Sequence, residues 1–220
     1  MIHLREILFP KEKTNKYPFN LPIINTDKIT FESPVSIFVG ENGSGKSTFL
    51  SAIQSVINIP TIGSQNEETT TSSKGQKKLG EKLKFIWNKK IHRGFSLSAE
   101  DFLGFTRYIS QLKTEMKTEL KGVEEEYNDR SNYAKMLAKA PYKKSIYELE
   151  EKYGVIETCS HGESFLTLFQ SRFVPEGLFL LDEPEVPLSP QNKLTFMVLL
   201  KQLIEQKSQV IMITHSPILM

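Results

Sequence analysis

Val35-Ser36-Ile37-Phe38-Val39-Gly40-Glu41-Asn42-Gly43-Ser44-Gly45-Lys46-Ser47-Thr48 is the stretch whose reading decides the fold. Its first five residues are mostly apolar and β-prone, so they read as a strand. The rest fits the pattern G-x-x-x-x-G-K-[ST] and carries a third glycine inside the loop. Glycines let the main chain wrap a phosphate so that consecutive N–H groups point inward, and a following helix adds the positive end of its dipole. That helix is expected from Phe49, Leu50, Ile53, Val56 and Ile57, which share one helical face. On this reading Gly40, Asn42, Gly43, Ser44, Gly45, Lys46, Ser47 and Thr48 hold a nucleotide. Lys46 reaches the β- and γ-phosphates, and Ser47 offers its hydroxyl to Mg²⁺, a hard cation that takes oxygen ligands. The bland alternative, a glycine turn before a helix, is weakened because strand and helix stand where the motif needs them.

Two more apolar runs, Leu178 to Leu181 and Val210 to Ile213, read as buried strands separated by a helix from about Asn192 to Glu205. Strands joined by helices imply a mostly parallel α/β sheet. The first run ends in Asp182-Glu183-Pro184. Open parallel sheets bind ligands at their strand C-termini, where Asp182 is expected in the Mg²⁺ shell and Glu183 is expected to polarise an attacking water. Solvated acids capping a strand are the competing explanation. His215 follows the second run and should emerge at the same sheet edge, within reach of a γ-phosphate, although a lone histidine is more often surface or core.

Elsewhere Ile2 to Phe9 alternates like a half-buried strand, Ile29 to Phe31 reads as a short strand, and Gly94 to Ser98 as another. Residues 63–80 are rich in Ser, Thr, Glu, Lys and Gly and read as a mobile loop. Ala99 to about Tyr153 reads as helical and charge-rich, with a break at Pro141. The organisation is therefore one domain, with a core over about 1–98 and 165–220 and a helical insertion over about 99–164. With 220 residues, 39% hydrophobic and 25% charged, the chain suits one such domain and contains no run of ~20 apolar residues that would span a bilayer. Met1 to Glu6 lacks the apolar core of a signal peptide and Cys159 has no partner for an internal disulfide, so a cytoplasmic location is expected. A net charge of +2 requires no polyanionic partner. Locally, however, Lys74, Lys77, Lys78, Lys82, Lys84, Lys89, Lys90 and Arg93 face only Glu81 in sequence, a cluster able to neutralise several phosphates. Such runs are usually solvated faces, and Trp87 beside them reads as core rather than as a base-stacking platform.

Taken in order, these motifs resemble the ATP-binding-cassette family of phosphate-loop NTPases over most of the chain. The family carries S-G-G-[QE] at a helix N-terminus shortly before the acidic strand. Ser160-His161-Gly162-Glu163-Ser164 stands in that place, departing at His161. The resemblance implies an ATPase using ATP and Mg²⁺, in which Ser160, Gly162 and Glu163 clamp ATP held by a second copy of the chain. Read alone, Ser160 and Glu163 equally make an ordinary capping box. The resemblance further implies that Glu183 is the catalytic carboxylate, His215 the switch histidine, and Val186-Pro187-Leu188-Ser189 a dimer-facing loop that departs from the common S-A-L-D. It asks for a metal-sensing glutamine after a core strand; topology points to Glu100, while Gln111 has the chemistry but lies within a helix. It also asks for an aromatic that stacks on adenine, either Tyr17 or Phe19. Asp182-Glu183-Pro184-Glu185 and Thr214-His215-Ser216-Pro217 are most similar to stand-alone bacterial ATPases of the SMC, RecF and OLD-like branch. Those enzymes imply an ATP-dependent homodimer working with nucleic acid or an effector protein in DNA repair or phage defence. The alternative is the motor subunit of a membrane transporter, disfavoured by the charged insertion and the missing double glycine.

Overall fold

A computed structural model describes residues 1–10, 14–62, 71–158 and 160–220; for 71–73 and 152–158 it describes the main chain only. β1 (Leu4–Leu8), β2 (Lys28–Thr30) and β5 (Lys84–Trp87) form an antiparallel sheet in the order β2-β1-β5. β3 (Val35–Phe38), β4 (Thr61–Ile62), β6 (Gly94–Ser98), β7 (Leu178–Asp182) and β8 (Gln209–Ile213) form the second sheet. Its order is β3-β8-β7-β6-β4, with every pairing parallel. β7 and β8 are apolar at almost every position because the sheet is covered on both faces, which leaves them no solvent side.

The pleat divides these side chains between two cores. Leu178, Leu180, Ile211 and Ile213 face α1 (Lys46–Ile57) and the antiparallel sheet. Phe179, Leu181, Val210 and Met212 face α5 (His161–Ser171) and α6 (Pro190–Glu205). The second core is rich in rings: Phe95 meets Phe169 and Phe179 edge-on at centroid separations of 5.5 and 5.0 Å, a favourable arrangement of ring quadrupoles. This is an α/β architecture with a five-stranded parallel sheet, compatible with a phosphate-loop NTPase fold.

The two sheets are joined by a buried amide. Gln209 Oε1 accepts from the His3 and Leu4 main-chain N–H groups at 2.9 and 2.8 Å, and its Nε2 donates to the Leu4 carbonyl at 2.9 Å. Three main-chain groups at the start of β1 thus find partners without water, which removes the cost of burying them unpaired.

Besides β4 and β5, which the sequence reading does not anticipate, two expected features take another form. Residues 63–70 and Cys159 lie outside the described residues, but the remainder of the expected loop is helical: α2 spans Thr71–Lys82. It packs on α1 through buried Leu79 and through Gly80, which sits against the Ala52 carbonyl. A single leucine and a close main-chain approach dock this helix, so its apolar periodicity is too weak to read. Pro141, expected to break a helix, lies inside α4 (Asn132–Thr158). One missing donor is tolerated because α4 is held along its length by α3 (Ala99–Glu126). The ion pairs Lys113–Glu150 at 2.9 Å and Lys139–Glu124 at 2.8 Å clamp the two helices in antiparallel register. No helix among the described residues is long and apolar enough to cross a membrane.

Candidate functional site

The loop between β3 and α1 owes its shape to glycine. Gly45 caps α1 at φ 95°, and a Cβ there would stand 2.9 Å from the Leu21 Cβ, so both its left-handed backbone and its packing exclude a side chain. Lys46 is buried, and its ammonium folds back along the loop, donating to the Gly40 and Glu41 carbonyls at 2.7 and 2.8 Å and to Ser44 Oγ at 3.3 Å. One cation therefore holds the loop closed from inside and stands within it. Asn42, Gly43, Gly45, Lys46, Ser47 and Thr48 line a cavity of about 330 Å³, and Glu183 lines the same cavity from the end of β7.

Asp182 and Glu183 occupy different environments although adjacent. Asp182 is partly buried, accepts a hydrogen bond from the Ser47 hydroxyl, and leaves its Oδ1 buried without a hydrogen-bond partner among the described residues. Burial pushes its carboxyl up to about 6; the charges of Glu183 and Asp101 add to that, while the Ser47 hydrogen bond and the Lys46 ammonium oppose it. A buried acid oxygen with no donor beside a serine hydroxyl is the donor set a hard divalent cation takes, with phosphate and water filling the remaining positions. Ser47 and Asp182 thus fit Mg²⁺. Among the described residues no group of three or more His, Cys, Asp or Glu is placed to hold a metal by itself.

Glu183 is held at φ 49°, an uncommon conformation for a residue with a Cβ and one that costs about 1–3 kcal/mol. The turn persists because Glu183 N–H donates to the Ile213 carbonyl at 3.0 Å and its own carbonyl accepts from Val186 N–H at 3.1 Å. The result lifts the carboxylate out of the strand direction and over the loop cavity. His215 stands beside it, its Nε2 3.7 Å from Glu183 Oε1.

Glu185 was given no role by sequence reasoning, yet it organises this edge. Its side chain is buried and its Oε1 accepts from the His215 main-chain N–H at 2.7 Å, tying the loop after β7 to the loop after β8. The Asp182-Glu183-Pro184-Glu185 quartet holds a second acid after the strand end, which is the only hint the sequence offers. Asp101 was missed as well. Glu100 is exposed at the start of α3, whereas Asp101, one residue on, is the acid whose charge reaches Asp182, across from Ser98, which pairs with Asp182 in register. Burial, helped by the charge of Glu100, raises the Asp101 carboxyl. Gln111 lies further along α3 and donates to Glu115 Oε1 at 2.8 Å.

The segment expected to act across a dimer has a clear local structure. Ser160 caps α5, and its Oγ accepts from Glu163 N–H at 3.3 Å. Glu163 Oε2 in turn accepts from Ser160 N–H and Oγ–H, both at 2.9 Å. These bonds hold the Glu163 carboxyl below the usual range. Gly162 is buried against Pro187 and Asn192, while Ser160, His161 and Glu163 are exposed. In the neighbouring loop Val186 is exposed, Leu188 is buried, and Ser189 caps α6 by accepting from Asn192 N–H at 3.2 Å. Of the two aromatic candidates for stacking on adenine, Phe19 packs against the first core and Tyr17 is about half exposed. Neither lines the loop cavity.

Residues 164–220, about a quarter of the chain, match a family described as "AAA domain, putative AbiEii toxin, Type IV TA system". The matched stretch holds the acidic strand and the histidine, and it supports an ATPase of the AAA type. A search of curated proteins finds no match to the chain.

Proposed function

We propose that the protein binds and hydrolyses Mg-ATP as a stand-alone ATPase of the ATP-binding-cassette class, and that two copies close on the nucleotide. The observation that carries this reading is that Glu183, from the end of β7, lines one cavity with Lys46, Ser47 and Thr48 of the glycine loop. In this mechanism the loop N–H groups and the α1 N-terminus receive the β-phosphate, and Lys46 exchanges its loop carbonyls for β- and γ-phosphate oxygens. Ser47 and Asp182 would hold Mg²⁺, which would supply positive charge to offset the negative charge developing on the γ-phosphate. Glu183 orients a water for in-line attack and takes its proton, and His215 stands where it senses both Glu183 and the γ-phosphate.

The exposed Ser160 and Glu163 at the α5 N-terminus face solvent, as a clamp on a second copy's ATP requires. Completing the site only in the closed pair would pre-organise donors around the γ-phosphate and couple turnover to opening. On this account the helices between β6 and β7 form the inserted helical part, and the protein is an ATP-dependent switch acting in DNA repair or phage defence. Glu183→Gln tests the chemistry: turnover should fall at least a hundredfold while binding of a fluorescent ATP analogue stays within about threefold of wild type. Wild-type turnover in this variant would remove Glu183 from the mechanism.

A further inference from the structure

A second cavity, of about 710 Å³, opens between the chain before Leu21 and α2, and Lys16, Lys78, Lys82, Tyr17, Phe19 and Asn15 contribute to its lining. Among the described residues no acidic side chain lines it, and it shares no lining residue with the glycine-loop cavity. Lys78 and Lys82 lie one helical turn apart, and Lys74 continues the same row. Like charges at this spacing weaken a helix, and among the described residues none of Lys16, Lys78 and Lys82 has an ion-pair partner. Tyr17 presents its ring beside them, about half exposed and resting on Gly75 of α2, where a Cβ would stand 2.6 Å from the ring.

The lysine cluster seen in sequence is thereby divided. Lys89 is paired with Glu176, and Trp87 packs against the first core and stacks on Phe85 at 6.5 Å. Arg93 lines a different cavity beside His92 and Arg172, so of the cluster the α2 lysines alone share this one, and the aromatic beside them is Tyr17. Lysines with no ion-pair partner among the described residues around a concave surface, with one half-exposed ring, match a nucleic-acid single strand, whose phosphates take the lysines and whose unpaired base stacks on the ring. A duplex offers phosphates but keeps its bases stacked on each other.

We propose that this cavity is a binding site for single-stranded nucleic acid, separate from the ATP site. The test is fluorescence anisotropy of labelled oligo-dT of twenty residues with the full chain, over a salt series. Three lysine contacts predict a slope of log K against log salt of about −2, and Lys78→Gln or Lys82→Gln should each reduce its magnitude by about 0.7, or about fivefold in affinity at 0.1 M salt. Tyr17→Ala should weaken binding about tenfold, and Tyr17→Phe should restore it. Nucleotide binding at the glycine loop should not change in the two lysine variants, which confirms their folding and keeps this test independent of the ATPase reading. Absence of binding at low salt, indifference to the lysine substitutions, or competition by excess Mg-ATP would each overturn the proposal. Equal affinity for a duplex of the same length would overturn the single-strand assignment.

Discussion

Replacing Asp182 by asparagine should make the protein more stable while removing its metal-dependent activity. The carboxyl is raised from 3.8 to about 6, mainly by burial, so the folded state resists its ionisation. A shift of about two units corresponds to roughly 3 kcal/mol, and about 2 kcal/mol remains after discounting for the side chain's residual contact with water. Because the folded value lies above the unfolded one, the contribution to stability is complete below about pH 4 and is lost as pH rises through about 6. Asparagine keeps an acceptor for Ser47 and does not titrate, so it escapes that loss. In EDTA at pH 8 the variant should melt about 4–8 °C above wild type, and this advantage should vanish as pH is lowered from 6 to 4. His3, whose pKa is lowered chiefly by burial, instead weakens the fold as pH drops below about 6.5, but it does so equally in both proteins and cancels in the comparison. With saturating Mg-ATP the order should reverse, since only wild type gains binding energy through the metal. Differential scanning fluorimetry across pH reads all of this. A variant that melts at or below wild type in EDTA at pH 8, or that keeps the same advantage at pH 4, would show that burial of the charge is not what raises this group.

Glu185→Ala removes the acceptor of the His215 N–H and should lower kcat about tenfold or more without changing nucleotide affinity, whereas Glu185→Gln keeps an acceptor and should stay within about threefold of wild type. Steady-state kinetics beside analogue binding separates this from a folding defect. Gln209→Leu leaves three buried main-chain groups of His3 and Leu4 unpaired and should cost at least about 3 kcal/mol, seen as a melting temperature roughly 6–12 °C lower.

The parts of the site that were legible in sequence are those whose chemistry is local. The glycine spacing of Gly40 to Gly45 dictates a backbone, and the apolar run before Asp182 dictates a buried strand with its acids at one end. Together they placed Lys46, Ser47, Asp182, Glu183 and His215 at one sheet edge, where the structure has them. What escaped depends on contacts distant in sequence or on helix phase. Gln209 meets β1 about two hundred positions away, and Glu185 meets His215 thirty positions on. Between Glu100 and Asp101, the first turn of α3 decides which one faces Asp182. The composition of residues 63–80 points to a loop because α2 docks by Leu79 and a glycine contact rather than by an apolar stripe. Pro141 suggests a break in sequence because the ion pairs that hold α4 against α3 have no local signature.

The proposed mechanism requires ATP to close two copies of the chain and Glu183 then to hydrolyse it. Light scattering on Glu183→Gln with and without Mg-ATP, beside wild-type turnover measured over a range of protein concentration, tests it most directly. The expected result is a monomer that becomes a dimer with Mg-ATP, and wild-type turnover per chain that falls as the protein is diluted below the dimerisation threshold. A variant that stays monomeric with bound Mg-ATP, together with turnover per chain that does not change on dilution, would contradict it.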